Sequence, residues 1–176
     1  QRLLTVYGQG RTYLAKNVFA CTRLRSLVQT FPDARFIFLV RHPYEGVPSL
    51  LSLFYAVWEI HSPAIPPYGS EIRQLVKVAY DQYRHLTATI PLVPEEQKVC
   101  LRYEELVADP GRAVATIYDH FGWEMGPAFR ERLQEAVRAS REYESEHDYS
   151  LAGYGLDEET VYEALAPEFA AHGYEP

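Results

Sequence analysis

The segment Arg35–Ser49 reads RFIFLVRHPYEGVPS, and the other predicted elements are arranged around it. Within it, Phe36–Val40 form an unbroken apolar run that is rich in aromatic and β-branched side chains. Such a run predicts a strand that is covered on both faces in a parallel sheet. The run stops at Arg41, so a cation stands where the predicted strand ends.

A helix is predicted directly after this strand. Pro43 breaks the extended pattern, and apolar residues then recur at helical spacing from Val47 to Val57. We expect the helix to begin near Tyr44 or Glu45. Pro48 is compatible with a first helical turn, because the N–H that a proline lacks has no partner there.

The junction between this strand and this helix suits a phosphate. Arg41 offers a guanidinium at the carboxyl end of the strand, Ser49 offers a hydroxyl, and the helix N-terminus offers free N–H groups. The alternative is a solvated arginine and a serine without a role. Spacing alone favours this alternative over the phosphate site.

Strands and helices alternate along the rest of the chain. Tyr13–Lys16 predict a short strand that ends in a lysine, and Leu24, Leu27, Val28 and Phe31 form the apolar face of a helix that Asn17 can cap. This alternation indicates an α/β fold built from parallel β-α-β units. The other predicted elements are a long helix over Ile72–Leu86, a strand at Lys98–Arg102, and helices from Pro110 to Gly122, from Pro127 to Tyr143 and from Asp157 to His172.

Composition narrows the class of protein. The 176 residues fit a single domain, 1–176, and 47% hydrophobic with 23% charged residues are values typical of globular proteins. A net charge of -7 argues against nucleic acid as a partner, so an anionic ligand needs a local basic cluster. No apolar run approaches the ~20 residues of a membrane span. Two cysteines without a C-x-x-C motif predict no zinc site and a reducing compartment, here the cytoplasm.

The segment FPDARFIFLVRHPYEGVPSLL resembles the 3'-phosphate-binding motif of the sulfotransferases that use 3'-phosphoadenosine 5'-phosphosulfate (PAPS). In that family an Arg ends a core strand and a Ser follows eight positions later, which here are Arg41 and Ser49. The resemblance is to the bacterial and tyrosylprotein branches and covers nearly the whole chain. It extends, in family order, to YLAKN, CLRYEELVADPGRAVATIYDHFGW, YSLAGYGLDEE and APEFAAHGYEP.

This resemblance implies a three-layer parallel sheet flanked by helices, related to the phosphate-loop NTPases. It also implies transfer of a sulfuryl group from PAPS to a hydroxyl or amine acceptor, with no metal. Lys16 is the match for the catalytic lysine of the family, which contacts the bridging or sulfuryl oxygens. Arg41 and Ser49 would hold the 3'-phosphate, and Tyr103 would lie near the adenine. On the residues alone, a solvated lysine is the favoured interpretation of Lys16, and a core tyrosine is as good an interpretation of Tyr103. Glu104 and Glu105 are expected to cap or salt-bridge a turn.

Two family features have no counterpart in the sequence. Val18 stands where the cytosolic branch has a catalytic His, so the general base is not assigned. In the family a Gly-, Ser- and Thr-rich turn after the first strand forms the 5'-phosphosulfate loop, and nothing in residues 1–15 matches it. Gly8–Arg11 are followed by neither Lys-Ser nor Lys-Thr and are predicted to form a plain turn. Either the chain is the C-terminal portion of a longer sulfotransferase fold, which is the favoured explanation, or it has lost the loop and with it efficient catalysis. The tail at residues 145–150 is expected to close over the nucleotide.

Other functions remain open at this point. A degenerate, non-catalytic nucleotide-binding or scaffolding domain of the same fold is the main alternative. A nucleotide kinase is disfavoured, because the G-x-x-x-x-G-K-[ST] motif and a Mg²⁺-binding carboxylate after a strand are both missing from the sequence. The acceptor and the oligomeric state are not readable from the residues.

Overall fold

The computed structural model of the chain describes residues 12–142 and 150–176. The predicted turn at Gly8–Arg11, the predicted helix end at Tyr143 and most of the tail at residues 145–150 lie outside this part of the chain. The strands are β1 (Phe36–Val40) and β2 (Lys98–Arg102), and the helices are α1 (Leu24–Thr30), α2 (Pro43–His61), α3 (Ile72–Thr89), α4 (Tyr103–Ala108), α5 (Pro110–His120), α6 (Pro127–Glu142) and α7 (Glu158–His172).

The two strands form a parallel ladder, as the β-α-β pattern predicts. Phe36 pairs with Lys98 at one end of the ladder, and Val40 pairs with Arg102 at the other. Because the register is in step, both strands end at the same edge of the sheet. The residues that follow them, Arg41 and Tyr103, therefore leave the sheet side by side.

Helices pack on both faces of the sheet, which confirms the α/β class. On one face Phe38 of β1 packs with Leu24 of α1, and on the other face Val99 and Leu101 of β2 pack with Ala113 of α5. Burial of these apolar side chains holds the layers together, at roughly 25 cal/mol per Å² of apolar surface.

The prediction that β1 is covered on both faces is wrong for the part of the chain that the structure describes. Ile37 and Leu39 are 37% and 46% exposed, whereas Phe38 and Val40 are buried. The physical reason is that α5 covers β2 but does not extend over β1 on this face of the sheet. Its apolar side packs on β2, so the same face of the neighbouring strand β1 is left partly open.

The predicted strand at Tyr13–Lys16 is also not observed. Residues 12–17 have no regular structure, and the side chains of Tyr13 and Leu14 are 62% and 85% exposed. A strand needs a neighbour that completes its hydrogen-bond ladder. Among the described residues, β1 has β2 as its ladder partner and no second strand along its other edge.

The starts of α2 and α5 follow the capping rules. The α2 helix begins at Pro43, slightly earlier than predicted, and the Nδ1 atom of its N-cap His42 accepts a hydrogen bond of 3.3 Å from the Tyr44 N–H. Asp109 caps α5 through a bond of 2.9 Å from the Arg112 N–H, as its Asp-Pro sequence predicts.

The largest apolar core lies where α2, α3 and α7 meet the carboxyl end of β1. Val47 and Leu51 of α2 and Leu165 of α7 are fully buried, and Val40 of β1 belongs to the same cluster. Arg41 directly follows Val40 in the chain, so the turn after β1 begins next to this core. None of the helices in the described ranges is long and apolar enough to cross a bilayer.

Candidate functional site

Two of the predicted site residues meet at the carboxyl edge of the sheet. The guanidinium carbon of Arg41 lies 5.0 Å from the centroid of the Tyr103 ring, so the cation sits over the aromatic face. The in-step register of β1 and β2 produces this contact, because it places positions 41 and 103 beside each other. The ring of Tyr103 is 38% exposed and supports the guanidinium from one side.

The third predicted residue, Ser49, lies on the same side of α2 as the guanidinium. Nη2 of Arg41 is 3.0 Å from Oε2 of Glu45, and Glu45 precedes Ser49 by one helical turn on one face of the helix. The Arg41 side chain is 29% exposed and that of Glu45 is 58% exposed, so an incoming anion can reach this pair.

We expect Glu45→Gln to raise the affinity for adenosine 3',5'-bisphosphate by about 1.4- to fivefold, because an exposed ion pair of this kind is worth roughly 0.2–1 kcal/mol. Calorimetric titration measures the change. Glu59→Gln, which removes a carboxylate from the exposed far end of the same helix, is the matched control and should leave the affinity unchanged. A loss of affinity in Glu45→Gln would show instead that Glu45 contacts the ligand.

The N–H groups at the start of α2 are already bonded, contrary to the prediction that they are free. Those of Glu45 and Gly46 donate to the His42 carbonyl at 2.9 and 2.7 Å, and that of Tyr44 donates to the His42 ring. The His42 N–H donates to Oε1 of Glu104 at 2.8 Å. Anion binding at this site therefore depends on side chains rather than on the helix amides.

Three side chains from distant parts of the chain bind the backbone around Arg41. Tyr83 of α3 donates to the Arg41 carbonyl at 2.8 Å, and Tyr174, which follows α7, donates to the Val40 carbonyl at 2.8 Å. Glu104 of α4 accepts a hydrogen bond from the His42 N–H, which agrees with its predicted role in capping a turn. The helical pattern predicts only that Tyr83 lies on the apolar face of α3, and no pattern indicates a role for Tyr174.

One sequence signal does point to Tyr83, and it is the glycine inside α2. Glycine in a helix interior costs about 0.5–1 kcal/mol relative to alanine, so it marks a close approach. A Cβ atom on Gly46 would lie 1.9 Å from the Tyr83 hydroxyl. The missing side chain makes room for the hydroxyl that binds the Arg41 carbonyl.

We expect Gly46→Ala to destabilise the protein by about 1–3 kcal/mol despite the better helix propensity of alanine, because the added methyl collides with the Tyr83 hydroxyl. Urea denaturation measures the loss. Tyr83→Phe in the same chain should restore part of it, since it removes the colliding atom. Gly126→Ala is the control, because a Cβ there meets nothing within 4 Å. Equal unfolding midpoints for Gly46→Ala and Gly126→Ala would contradict the collision.

The two tyrosine hydroxyls remain proton donors over the ordinary pH range. Burial raises the pKa of Tyr83 above its usual value, and burial together with the nearby Glu104 carboxylate raises the pKa of Tyr174. A raised phenol pKa favours the neutral form in the folded protein. The two bonds therefore persist below the ordinary phenol pKa and are lost only as the pH rises far above it.

Lys16 lies on the exposed, irregular segment at residues 12–17. The segment ends in a turn, since Oδ1 of Asn17 accepts a bond of 2.9 Å from the Phe19 N–H. The prediction that Asn17 caps the following helix is wrong, because the N-cap of α1 is Arg23. The Val18 carbonyl then accepts a bond of 2.7 Å from Gln82 of α3. Gln82 directly precedes Tyr83, so one turn of α3 holds both this segment and the Arg41 backbone. The catalytic role of Lys16 stays a prediction.

Comparison with known proteins places these residues in a family. The model of the Sulfotransferase family matches residues 2–127. The omega-hydroxy-beta-dihydromenaquinone-9 sulfotransferases Stf3 of Mycobacterium bovis and Mycobacterium tuberculosis are each 32% identical to the chain over 151 residues, which is 85% of this chain and 37% of theirs. The chain thus spans well under half the length of these relatives.

A solved structure agrees with this match. The crystal structure of sulfotransferase STF9 from Mycobacterium avium superimposes with a TM-score of 0.71 at 20% identity, over 89% of this chain and 40% of that one. The likeness confirms the predicted sulfotransferase fold. With the family model matching most of its length, the chain belongs to the sulfotransferase family.

Proposed function

We propose that this chain carries the 3'-phosphate-binding part of a sulfotransferase that moves a sulfuryl group from PAPS to a hydroxyl acceptor. Membership of the family implies a sulfonate donor, and PAPS supplies an activated sulfuryl group when it is bound. The observation that carries the proposal is the placement of Arg41, over the Tyr103 ring and on the Ser49 side of α2.

The chemistry of these side chains suits a phosphate dianion. The guanidinium of Arg41 offers charge-assisted, bidentate hydrogen bonds, and the Ser49 hydroxyl offers a further donor. Tyr103 supports the guanidinium from its other side. The carboxylate of Glu45, 3.0 Å from Arg41, is the partner that the phosphate replaces. In this proposal Lys16 neutralises the charge that develops on the departing phosphate oxygen.

An apolar alcohol is the acceptor class that we propose. Beyond Ser49, the same face of α2 exposes Leu53, Val57 and Ile60, at 56%, 54% and 78% of their surface. A stripe of exposed apolar side chains is a surface that an apolar molecule can cover. The two Mycobacterium relatives are named for a hydroxylated menaquinone, which is an apolar alcohol of this kind.

Two further parts of the proposal rest on the sequence alone. Residues 1–176 are proposed to form one domain that corresponds to the C-terminal portion of the fold. The cytoplasm is the proposed location, on the argument from the two cysteines in the sequence, Cys21 and Cys100.

Calorimetric titration tests the proposed function. Adenosine 3',5'-bisphosphate, 5'-AMP and ATP are each titrated into this chain and into the longest form that its reading frame encodes. We expect selective binding of the bisphosphate. Equal affinity for all three nucleotides in folded protein would overturn the proposal, and selective binding without turnover of PAPS would favour a non-catalytic nucleotide-binding domain.

A further inference from the structure

The backbone that carries Arg41 is held at three consecutive residues by three side chains from separate elements. The Val40 carbonyl, the Arg41 carbonyl and the His42 N–H are each bound at 2.8 Å, by Tyr174, Tyr83 and Glu104 respectively. A turn between a strand and a helix needs no such bonds to form. Three of them on adjacent residues fix the backbone dihedral angles on both sides of Arg41.

Glu104 joins two of these contacts into one unit. Its Oε1 accepts the His42 N–H at 2.8 Å, and its Oε2 accepts the hydroxyl of Tyr174 at 2.8 Å. The Tyr174 hydroxyl carries one proton and has two acceptors at the same distance, Oε2 and the Val40 carbonyl. The carboxylate therefore links Tyr174 to the His42 end of the turn, while Tyr174 itself binds the Val40 end.

The position of Tyr174 is itself well determined. Gly173 adopts φ +69, which reverses the chain at the end of α7, and the Tyr174 N–H then bonds to the Phe169 carbonyl at 2.9 Å. Nη1 of Arg102 reaches the Gly173 carbonyl at 3.4 Å. The Tyr174 ring lies edge-on to the His42 ring, with centroids 4.8 Å apart.

We infer that Tyr174, Tyr83 and Glu104 are positioning residues that hold the Arg41 guanidinium toward the 3'-phosphate. Their bonds end on the backbone of residues 40–42, so they act on the ligand through Arg41 rather than by contact. The inference rests on the proposed function, because the 3'-phosphate is the ligand group that Arg41 would bind. A fixed backbone lowers the freedom that Arg41 loses when the ligand binds, which raises affinity without a new contact.

Tyr174→Phe and Tyr83→Phe test the inference without changing any charge. Each should weaken the binding of adenosine 3',5'-bisphosphate by about three- to tenfold, the value of one hydrogen bond, and leave 5'-AMP binding unchanged. Tyr55→Phe is the matched control, because the Tyr55 hydroxyl also donates to a backbone carbonyl at 2.8 Å, that of Ile65, far along α2 from the turn. An equal loss for both nucleotides, or the same loss in the control, would overturn the inference.

Glu104 needs a pair of variants, since its removal also removes a negative charge. Glu104→Gln and Glu104→Ala lose the same charge, but glutamine still accepts the His42 N–H. We expect selectivity for the bisphosphate to be higher in Glu104→Gln than in Glu104→Ala. Identical selectivity in the two variants would remove Glu104 from the positioning role.

A readout without nucleotide separates this inference from the proposed function. The ¹⁵N-¹H signals of the Arg41 amide and Nε–H are expected to shift or broaden in Tyr174→Phe, while those of Arg35 at the other end of β1 stay in place. Unchanged Arg41 signals in both tyrosine variants would overturn the positioning role. Shifted signals in a protein whose unaltered form shows no preference for the bisphosphate would keep the positioning role and reject the function.

Discussion

Arg41→Ala should abolish the preference of this protein for 3'-phosphorylated nucleotides. Loss of a charge-assisted, bidentate contact with a phosphate costs about 2–4 kcal/mol, which corresponds to roughly 30- to 1,000-fold in Kd. The loss should appear for adenosine 3',5'-bisphosphate and be absent for 5'-AMP, since only the first carries the phosphate that Arg41 binds. Calorimetric titration of both nucleotides measures the two affinities.

The matched control for this variant is Arg35→Ala. Arg35 lies just before β1 at the opposite end of the strand, and its guanidinium carbon is 6.0 Å from the centroid of the Phe121 ring. The two variants change the net charge equally and both remove a cation that lies over an aromatic ring. A folded Arg41→Ala protein that binds the bisphosphate as well as Arg35→Ala does would remove the basis of the proposed site.

The strand, the turn and the helix around Arg41 could be predicted from local sequence. An apolar run of β-branched and aromatic residues forms β1, and the proline that follows begins α2 where such a residue costs least. The second strand and the cap of α5 could also be predicted from local sequence. For the cap, the signal is Asp109-Pro110, a pair of residues that is typical of a helix start. The pairing of Arg41 with Tyr103 then follows from a parallel sheet whose strands end together.

What escaped prediction depends on contacts between distant parts of the chain. The residues at 13–16 read as a strand because they are apolar and end in a charge, but a strand also needs a neighbour for its backbone groups. The pattern of Phe36–Val40 predicts burial on both faces. It cannot predict how much of the sheet α5 covers, because that depends on residues far away in sequence. Ile37 and Leu39 are exposed because α5 does not extend over β1.

The hydrogen bonds that hold the Arg41 backbone also depend on contacts between distant parts of the chain. Tyr83, Glu104 and Tyr174 lie 42 to 134 positions away in sequence from the backbone groups they bind. No local periodicity marks a tyrosine hydroxyl or a glutamate for such a bond. Gly46 is the exception. A glycine inside a helix lowers helix stability, so its presence indicates that another group, here the Tyr83 hydroxyl, lies too close for a side chain.

Lys16→Ala should lower turnover far more than nucleotide affinity. If Lys16 neutralises charge on the departing phosphate oxygen, its contribution arises mainly in the transition state, and loss of such a group costs about 10²- to 10³-fold in kcat. The affinity for adenosine 3',5'-bisphosphate should change by less than about tenfold. Release of the bisphosphate from PAPS in the presence of an apolar alcohol measures turnover, and calorimetry measures the affinity.

Lys77→Ala provides the control for this last variant, since Lys77 is an exposed lysine that pairs with Asp81 on the surface of α3. It removes the same charge and should change neither quantity. A Lys16→Ala protein that loses affinity and turnover by equal factors would make Lys16 a binding residue, because uniform binding affects the ground state and the transition state alike. Unchanged turnover would mean that the exposed segment at residues 12–17 carries no catalytic group, and that the charge on the leaving oxygen is neutralised elsewhere.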